Sequence, residues 1–551
     1  MKPLLTSDLN LKFLGITPVL KDETGFLNPQ EIVSFSALLT FKGKSVQDLL
    51  KETKEKGQDI NEKIIRILRK SSLKGHASMA TTPAFSFSYT ASKFLDSALT
   101  GIVFASALMA SGRRTDTKPE DIVYPTTILK NSSARKIYRE ASERNINFVN
   151  WLLSQGVQKD TASKMLQYGI YGTGILQLPI ESIVSLKREY EAEKDWMPEE
   201  IGFLIKKIEK ELKKNGVDLL YATRLVAPRN TYPYPHIFRD PKESNLIRDL
   251  LKKKKNQDSF NRAQRRVEKN ECSSSQIVSS DFVATPELKK RLFELKREIR
   301  KVVKNKNGFR SKWLDLIAMR QQIARDYHLS ANIKILASVA WRVWGDKKRH
   351  RTVPMIVESV YYCIERATEV FKKYKKEIKN QKLNKKIIRN IDLVFSIPPS
   401  VQNNKNFLYC YLERALDSLE IYNKLINLGV KKSDAIFIIP RGLKLDVFQD
   451  YNFYNLIAGY YPLRICSTAE EELRRVSIKE VAAIKKLLNQ RGLSWVAEHI
   501  VPKCHAVGFC LEEKFCPMIK PLVPDYDEKI HEKMKQDLEN KFQENLKKLG
   551  K

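Results

Sequence analysis

The stretch WLLSQGVQKDTASKML, residues 151–166, recurs later in the chain as KLINLGVKKSDAIFII, residues 424–439. Each copy predicts a helix, a turn at Gly156 or Gly429, and a second helix that begins at a capping Asp or Ser. Two copies of one helical unit, far apart in a single chain, indicate an internal duplication.

A histidine lies upstream of each copy, His76 in KGHASMATTPAFSFSY and His328 in RDYHLSANIKILASVAW. An apolar segment follows each histidine and ends in clustered basic residues, within SGRRTDTKPEDIVYP in the first half and KKRHRTVPMIVESVY in the second. The shared order of these features supports the predicted duplication.

The fold class predicted from these patterns is α+β, with two tandem copies of a helix-rich unit whose helices pack on small sheets. The alternation in AFSFSYT, residues 84–90, predicts a half-buried strand, and DAIFIIP, residues 434–440, is also rich in strand-forming residues. The apolar stretch SALTGIVFASALMA, residues 97–110, predicts a buried helix that is too short to span a bilayer.

The chain is expected to divide into two repeats, a linker and a C-terminal segment. Residues 251–281 are charged and then Ser-rich with little apolar periodicity, which is typical of a linker. The first repeat is therefore predicted at residues 1–250 and the second at residues 282–501. Residues 502–551 carry a Cys/His group and end in a highly charged segment that predicts a solvated helix.

The charge balance favours anionic partners. Lys and Arg number 98 against 64 Asp and Glu in 551 residues, a formal charge of +34. This excess suits nucleotides, phosphorylated cofactors or nucleic acid, although a Lys-rich run such as residues 372–386 is equally typical of a solvated helix face. We expect a cytoplasmic protein without a membrane segment, because the seven cysteines form no disulfide framework and the N-terminal segment lacks a continuous apolar signal core.

The C-terminal Cys/His group has the ligand types of a metal site. Cys504, His505, Cys510 and Cys516 could bind zinc or an iron–sulfur cluster, but the paired two-residue spacing of zinc ribbons is missing. The alternative is that these are buried thiols that only pack the C-terminal lobe.

A basic cluster lies in WGDKKRHRTVPMIVES, residues 344–359. If this segment is extended or a loop, Arg349 and Arg351 point to similar sides with His350 opposed, and the two planar guanidinium groups can bind an anion together. If it is helical, the two arginines diverge and the cluster becomes a solvated basic turn. The residues alone leave both alternatives open.

The string RHRTVPMIVES, residues 349–359, resembles the Arg-His-Arg motif of flavin-dependent thymidylate synthases, and the preceding SVAWRVWGDKK resembles the helix that leads into it. LIAGYYPLRICSTAEEELRR, residues 456–475, is similar to the closing signature of that family, in which an Arg after a Leu binds the nucleotide. That residue is Arg464 here. The resemblance covers residues 328–475, and more faintly residues 76–188, as expected for two copies of a unit of the thymidylate-synthase-complementing type.

The match to the Arg-His-Arg motif is incomplete. Of its specified positions, this chain retains Arg349, His350, Arg351 and Ser359, while the positions for Ser, Asn, Glu and the final Arg hold Pro354, Ile356, Val357 and Tyr361. In the first half, Arg113 and Arg114 are the counterparts of the arginines. If Gly112 takes the first Arg position, Thr117 and Glu120 fall at the Ser and Glu positions of the motif. Lys187 is the first-half counterpart of Arg464.

The resemblance implies an enzyme that uses FAD to transfer a one-carbon unit from methylenetetrahydrofolate to dUMP, with NADPH as reductant, giving dTMP. It implies that Arg464 and Ser359 act at the catalytic centre. The flavin would be bound by Arg349, His350, Arg351, His328 and His76, although a lone His is often only structural. The nucleotide would be bound by Arg464, Arg351, Lys187, Glu120 and Thr117.

The resemblance also implies a homo-oligomer, as a dimer of fused double subunits, because family members build their active sites from several subunits. The alternative is a catalytically degenerate flavin- or nucleotide-binding paralogue, or a basic scaffold that binds nucleic acid. No helix-turn-helix, zinc-finger or RNP-type motif occurs in the sequence, so nucleic acid is not the expected partner.

Overall fold

Helices dominate the fold, and small sheets accompany them, which confirms the predicted α+β class. The computed structural model describes residues 3–22, 25–102, 104–110, 116–227, 236–241, 247, 275–304 and 313–550. Within these ranges, no helix is long and apolar enough to cross a membrane.

The α-helices of the described residues follow the predicted helix-rich pattern. In chain order they are α1 (Pro29–Lys42), α2 (Val46–Glu55), α3 (Ile60–Lys70), α4 (Ser78–Thr81), α5 (Phe94–Leu99), α6 (Thr126–Lys130), α7 (Ser132–Ser154), α8 (Lys159–Ala162), α9 (Ile180–Ala192), α10 (Glu199–Lys214), α11 (Asp218–Val226), α12 (Pro286–Lys304), α13 (Trp313–Asp326), α14 (Trp341–Lys347), α15 (Val360–Lys373), α16 (Lys375–Lys379), α17 (Lys385–Asp392), α18 (Pro399–Gln402), α19 (Lys405–Asn427), α20 (Lys432–Ala435), α21 (Tyr461–Arg464), α22 (Glu471–Gln490), α23 (Ser494–Ala497), α24 (Lys503–Val507) and α25 (Glu528–Lys548). The charged C-terminal segment is helical as predicted.

The strands form two four-stranded sheets and two short pairs among the described residues. They are β1 (Leu4–Leu5), β2 (Asn10–Thr17), β3 (Leu20–Asp22), β4 (Gly25–Leu27), β5 (Ala84–Ser92), β6 (Ser106–Met109), β7 (Val123–Tyr124), β8 (Tyr171–Pro179), β9 (Ser275–Phe282), β10 (Ala331–Ala340), β11 (Met355–Val357) and β12 (Lys444–Asn452). One sheet has the order β2-β5-β8-β6, and the other has the order β11-β12-β10-β9. β1 pairs with β7, and β3 pairs with β4.

The two halves repeat the same local structure around their longest helices. The N-cap of α7 is Asn131 and that of α19 is Asn404, and each asparagine side chain accepts a backbone N–H of the first turn. Past the end of each helix, Gly156 and Gly429 have φ values of 78° and 83°, a conformation that suits glycine. The predicted turns at these glycines are therefore confirmed.

The helices α7 and α19 pack against each other, although they come from different halves of the sequence. The Nδ2 atom of Asn145 donates to the Oγ atom of Ser418 at 3.1 Å, and Arg144 pairs with Asp417 at 3.0 Å. Because their apolar faces are buried together, the central helix of the second half belongs to the same compact unit as the first half.

The chain forms two compact units, and they do not coincide with the predicted repeats 1–250 and 282–501. Unit 1 comprises Met1–Asn245, Ala340–Arg349 and Val357–Leu445, and unit 2 comprises Leu246–Val339, His350–Ile356 and Asp446–Lys551. Unit 1 contains the β2-β5-β8-β6 sheet with the α7–α19 pair. Unit 2 contains the other sheet and the C-terminal helices, including the Cys/His segment predicted as residues 502–551.

The predicted linker 251–281 extends into a strand of unit 2. Residues 251–274 lie outside the described residues, but Ser275–Phe282 is strand β9, which pairs antiparallel with β10. The Ser-rich composition suggested a loop, whereas Ile277 and Val278 contribute apolar side chains to the packing of unit 2. Pairing with β10 therefore overrides the local composition.

Two secondary-structure predictions from apolar stretches are wrong. In residues 97–110 the predicted helix ends at Leu99, Gly101 follows with a φ of 109°, and the chain then forms β6 at the edge of its sheet. The stretch DAIFIIP forms the end of α20 and a 3-10 helix at Ile436–Ile438, all of it buried. Short apolar runs do not distinguish buried helical turns from buried strands.

The strand predicted from AFSFSYT is confirmed as β5, but the predicted caps are not. Phe85, Phe87 and Tyr89 are buried on one face of β5, as the alternation requires. The N-caps of α8 and α20 are Gln158 and Lys431, and neither cap residue makes a side-chain cap hydrogen bond. Asp160 pairs with Arg342 at 3.2 Å instead.

Strand β5 ends at a buried carboxyl group. Glu200 of α10 is fully buried, and its carboxyl accepts hydrogen bonds from the backbone N–H of Ser92 at 2.8 Å and from the Ser92 hydroxyl. Burial raises the pKa of Glu200 to about 7, and the nearby Asp96 and Glu199 act in the same direction against the hydrogen bonds from Ser92.

We expect the stabilisation contributed by Glu200 to fall as the pH rises from about 4.5 to 7, because the native state binds the Glu200 proton more tightly than the unfolded chain does. This stabilisation is complete below the unfolded pKa and is lost as pH passes the folded one; each pKa unit corresponds to about 1.4 kcal/mol. Asp434, whose pKa burial raises to about 6, acts in the same direction. Urea unfolding across this pH range should show a shallower decline in Glu200→Gln, and an equal decline in both proteins would contradict the assignment.

Candidate functional site

The basic cluster after α14 is partly buried and partly exposed. Within unit 1, Lys347 and Lys348 are buried, and the Lys348 ammonium lies 4.1 Å from the centre of the Trp344 ring and donates to the Ser97 carbonyl. Burial lowers the pKa of Lys348, and the charge of Arg349 adds to the effect. Arg349 is half exposed and pairs with Asp346 at 3.9 Å. Only part of the cluster can therefore meet a ligand.

The residues that follow, His350 and Arg351, lie in a loop rather than a helix. The local structure is therefore the non-helical alternative that the sequence left open. Arg351 is mostly exposed to solvent. The part of its side chain that is desolvated lowers its pKa. An exposed arginine in a loop can turn its planar guanidinium group towards an anion.

Unit 2 brings His350 together with Arg464, which is far away in sequence. The Nε atom of Arg464 donates to the Nε2 atom of His350 at 2.7 Å, and the edge of the Tyr460 ring packs against the imidazole with ring centres 4.8 Å apart. Because Nε2 accepts this bond, His350 is neutral with its proton on Nδ1. The imidazole thus orients the guanidinium plane of Arg464.

A cavity of about 690 Å³ lies beside this loop in unit 2. His328 is one of its lining residues, and the Nδ1 atom of His328 lies 2.8 Å from the Arg325 carbonyl. The full lining is Ala318, Gln321, Gln322, Ala324, Arg325, His328, Thr352, Asn452 and Tyr454. Its volume suits a small-molecule site, and its polar groups can orient a ligand.

Sequence reasoning missed an amide network at the edge of this cavity. The Oγ1 atom of Thr352 donates to Oδ1 of Asn455 at 3.0 Å, and Nδ2 of Asn455 donates to the Thr352 carbonyl at 3.0 Å and to Oδ1 of Asn452 at 2.8 Å. Asn455 begins a π-helical turn, Asn455–Gly459, a feature frequent at functional sites. The Asn pair three residues apart was the available sequence signal.

The predicted site residue Ser359 is the N-cap of α15 in unit 1. Its hydroxyl donates to the Arg239 carbonyl at 2.6 Å and accepts the backbone N–H of Tyr361 at 3.2 Å. The residue is fully buried. Both contacts support a structural role in starting α15.

His76 lines a second cavity, of about 820 Å³, in unit 1. The floor is apolar, and the rim carries the side chains Lys42, Lys63, Arg66, Lys70 and His76. Burial lowers the pKa of Lys63, and the charges of Lys42 and Lys56 lower it further. The described lining contains no carboxylate that would neutralise these cations. The cavity therefore favours an anionic group.

The other first-half candidates lie elsewhere. Thr117 is buried, and its carbonyl accepts from Asn150 at 3.3 Å. Glu120 is exposed on a 3-10 helix. Lys187 on α9 pairs with Glu191 at 3.0 Å and Glu209 at 3.5 Å. None of the three lines the cavity of His76, and Gly112, Arg113 and Arg114 lie outside the described residues.

The predicted metal group of Cys504, His505, Cys510 and Cys516 does not form a site for a metal ion. Across the described residues, no set of three or more His, Cys, Asp or Glu side chains could hold one. The Nε2 atom of His505 contacts the Met518 carbonyl instead. Burial raises the pKa of the Cys504 thiol to about 12.

Comparison with known proteins identifies the family. Residues 21–180 and 279–488 match the family described as "Thymidylate synthase complementing protein" (Thy1). These regions cover more than half of the chain, so the protein belongs to this family. The two matched regions also agree with the predicted duplication, and the second begins within β9.

Individual relatives match shorter parts. The "Flavin-dependent thymidylate synthase" of Pyrococcus furiosus is 27% identical over 128 residues, which are 23% of this chain and 52% of that protein. The enzyme of the same name from Aeropyrum pernix is 31% identical over 83 residues, 15% of this chain and 26% of that protein. The chain thus spans about half the length, or less, of these relatives.

Among solved structures, the chain is similar to a UMP/dUMP methylase, PolB from Streptomyces cacaoi, bound with 5-Br dUMP. The identity is 15% and the TM-score 0.31, and the match covers 41% of this chain and 100% of that chain.

Proposed function

We propose that this protein is an FAD-dependent thymidylate synthase, which transfers a one-carbon unit from methylenetetrahydrofolate to dUMP with NADPH as reductant and releases dTMP. The observation that carries the proposal is the 2.7 Å hydrogen bond between Arg464 and His350. It joins the two segments that resemble the family's motifs in a chain of this family, and Thr352, two residues after His350, lines a ligand-sized cavity.

The residues that line this cavity, together with Arg351 and the Arg464–His350 pair, suit a nucleotide. Arg464 and Arg351 would neutralise its phosphate or polarise a uracil carbonyl, because guanidinium groups form paired hydrogen bonds with oxygen acceptors. The amides of Asn452 and Gln322 would bind the donor and acceptor edge of the base. The protein's task is to hold uracil in one orientation while charge develops on it.

The cationic and aromatic groups of the two cavities also suit FAD. In unit 2, His328, Arg325 and Tyr454 can contact a ring system and phosphates, and the basic rim of the His76 cavity in unit 1 suits phosphates. Arg349, His350 and Arg351 would contribute from their loop. Bound FAD would supply the redox chemistry that the protein's own side chains lack.

The contacts of the remaining predicted residues give less support to ligand binding. Lys187 is paired with two carboxylates, Ser359 is a buried cap, and Thr117 and Glu120 lie away from the cavity of His76. We therefore assign nucleotide binding to Arg464 and Arg351. A homo-oligomer of duplicated chains remains our proposal for the assembly.

The test is to purify the chain, add FAD and measure flavin retained after gel filtration, followed by dTMP formation from dUMP, methylenetetrahydrofolate and NADPH. We expect flavin binding and dTMP that requires all three substrates. Flavin retention without dTMP would support the degenerate paralogue instead. A protein that binds no FAD, but binds DNA or RNA with a steep salt dependence, would support the basic scaffold.

A further inference from the structure

The outer face of helix α12 in unit 2 is strongly basic. The helix contains eight Lys and Arg residues against three Glu. Its inner face contributes Leu288, Leu292 and Leu295 to the core of unit 2, and the helix packs there against α13 and α23. The outer face borders a surface depression of about 750 Å³, whose described lining is Lys290, Phe293, Glu294, Lys296, Arg297, Arg300, Lys301 and Lys304. Six of these eight side chains are cationic, so the depression attracts anions.

The side chains of this face form a regular row. Lys290, Phe293, Arg297, Arg300 and Lys304 follow one another at intervals of three or four residues, which places them on one side of the helix. All five are exposed. At the rise of an α-helix, the row from its first to its last residue is about 21 Å long. Phosphates along one stacked strand are about 3.4 Å apart, so the row has the length of about six nucleotides.

Neighbouring carboxylates neutralise only part of this row. Glu298 lies 2.8 Å from the Lys301 ammonium and 3.6 Å from the Arg297 guanidinium, and Glu498 pairs with Lys296. In the part of the chain that the structure describes, no ion pair with a carboxylate involves the remaining cations of the row, Lys290, Arg300 and Lys304. These three side chains can therefore pair with the charges of a ligand.

An aromatic side chain lies within the row of cations. Phe293 is 50% exposed. An exposed ring beside basic groups is the combination with which proteins bind single-stranded nucleic acid, because the ring stacks on a base while the cations contact phosphates. A membrane surface suits α12 less well. A helix that lies on lipid inserts a broad apolar face, and the apolar face of α12 is already buried in the core of unit 2.

We propose that the outer face of α12 binds single-stranded nucleic acid, RNA or DNA. Arg297 and Arg300 donate to phosphate oxygens, Lys290 and Lys304 add positive charge at the two ends of the row, and Phe293 stacks on a base. Phosphates and the faces of the bases are common to all sequences, so binding is independent of sequence. The surface includes no residue of the proposed dUMP site, and it does not depend on the proposed enzymatic function.

The test is fluorescence anisotropy of the full chain with short labelled oligoadenylates, RNA and DNA, over a range of salt concentrations. Arg300→Gln with Lys304→Gln removes two phosphate contacts, each of which contributes about 0.7 to the slope of log affinity against log salt. We expect the slope to lose about 1.4 in magnitude and the affinity to fall about 25-fold at about 0.1 M salt. Phe293→Ala should weaken binding about tenfold through lost stacking. The two oligonucleotides show which strand is preferred, and preference for either supports the proposal.

The matched control is Lys529→Gln with Lys533→Gln, which removes two exposed cations four residues apart on α25 in unit 2 and should leave the affinity nearly unchanged. Three results would overturn the proposal: no binding by the parent protein, equal weakening in both double variants, or loss of binding to phosphatidylserine vesicles in the α12 variants with oligoadenylate binding retained. Circular dichroism checks that each variant is folded. Titrations of the same proteins with FAD and dUMP test the proposed enzymatic function separately, since the α12 variants should bind both as the parent does.

Discussion

Replacing Arg224 by Ala is expected to lower the free energy of unfolding by about 3 to 5 kcal/mol, because it leaves a buried carboxylate without its partner. Arg224 and Glu181 are both fully buried in unit 1, and two hydrogen bonds of 2.7 Å join them. A third bond of 3.0 Å runs from Arg224 to the Ser72 carbonyl. Urea denaturation monitored by circular dichroism measures the loss, which is a large share of the stability of a typical domain.

Two further variants separate the ion pair from general effects of truncation. The double variant Arg224→Met with Glu181→Leu removes both charges and keeps apolar volume, so it should regain much of the lost stability. Arg139→Ala breaks an exposed pair with Glu143 at 3.8 Å and should change stability by less than about 1 kcal/mol. If Arg224→Ala is no less stable than Arg139→Ala, the buried pair does not stabilise unit 1.

The duplicated helical unit could be predicted from sequence because its signals are local. The glycines after α7 and α19 adopt the left-handed conformation that glycine favours, and the alternation of β5 matches one buried face. Both features therefore have the structure that the local sequence predicts. The segments that resemble the family's motifs contain His350 and Arg464, which the folded chain brings into contact. Short-range patterns of this kind do not depend on which other elements pack nearby.

The arrangement of the units could not be predicted, because it depends on packing between distant segments. The pairing of α7 with α19 places the central helix of the second half in unit 1. The local sequence around Asn145 and Ser418 does not predict the hydrogen bond between them.

The candidate site shows the same division. The basic cluster could be recognised in the sequence as a run of charges. The sequence could not show that Lys347 and Lys348 are buried while Arg351 is exposed. Burial decides which charges can meet a ligand, and burial is set by tertiary packing. The amide network of Thr352 and Asn455 depends on a π-helical turn that has no simple sequence pattern.

Replacing Arg464 by Ala is expected to weaken dUMP binding by about ten- to a hundred-fold, because a charge-assisted contact to a phosphate or carbonyl oxygen contributes about 1.5 to 3 kcal/mol. The hydrogen bond to His350 orients the guanidinium group, so little entropy is lost when the nucleotide binds. Arg464→Lys should recover only part of the affinity, since an ammonium group lacks the planar pair of donors. Isothermal titration with dUMP in the presence of FAD measures the change.

The control for charge alone is Arg297→Ala, which removes an exposed arginine of α12 in unit 2 and should leave dUMP affinity nearly unchanged. His350→Leu tests the orientation of the Arg464 guanidinium group, because it removes the acceptor of the Arg464 hydrogen bond. It should weaken dUMP binding less than Arg464→Ala does. Since Tyr460 packs against His350, thermal unfolding of each variant must accompany the titrations. If folded Arg464→Ala binds dUMP as tightly as the parent protein, Arg464 does not contact the nucleotide, and the assignment of the site to the loop of His350 fails with it.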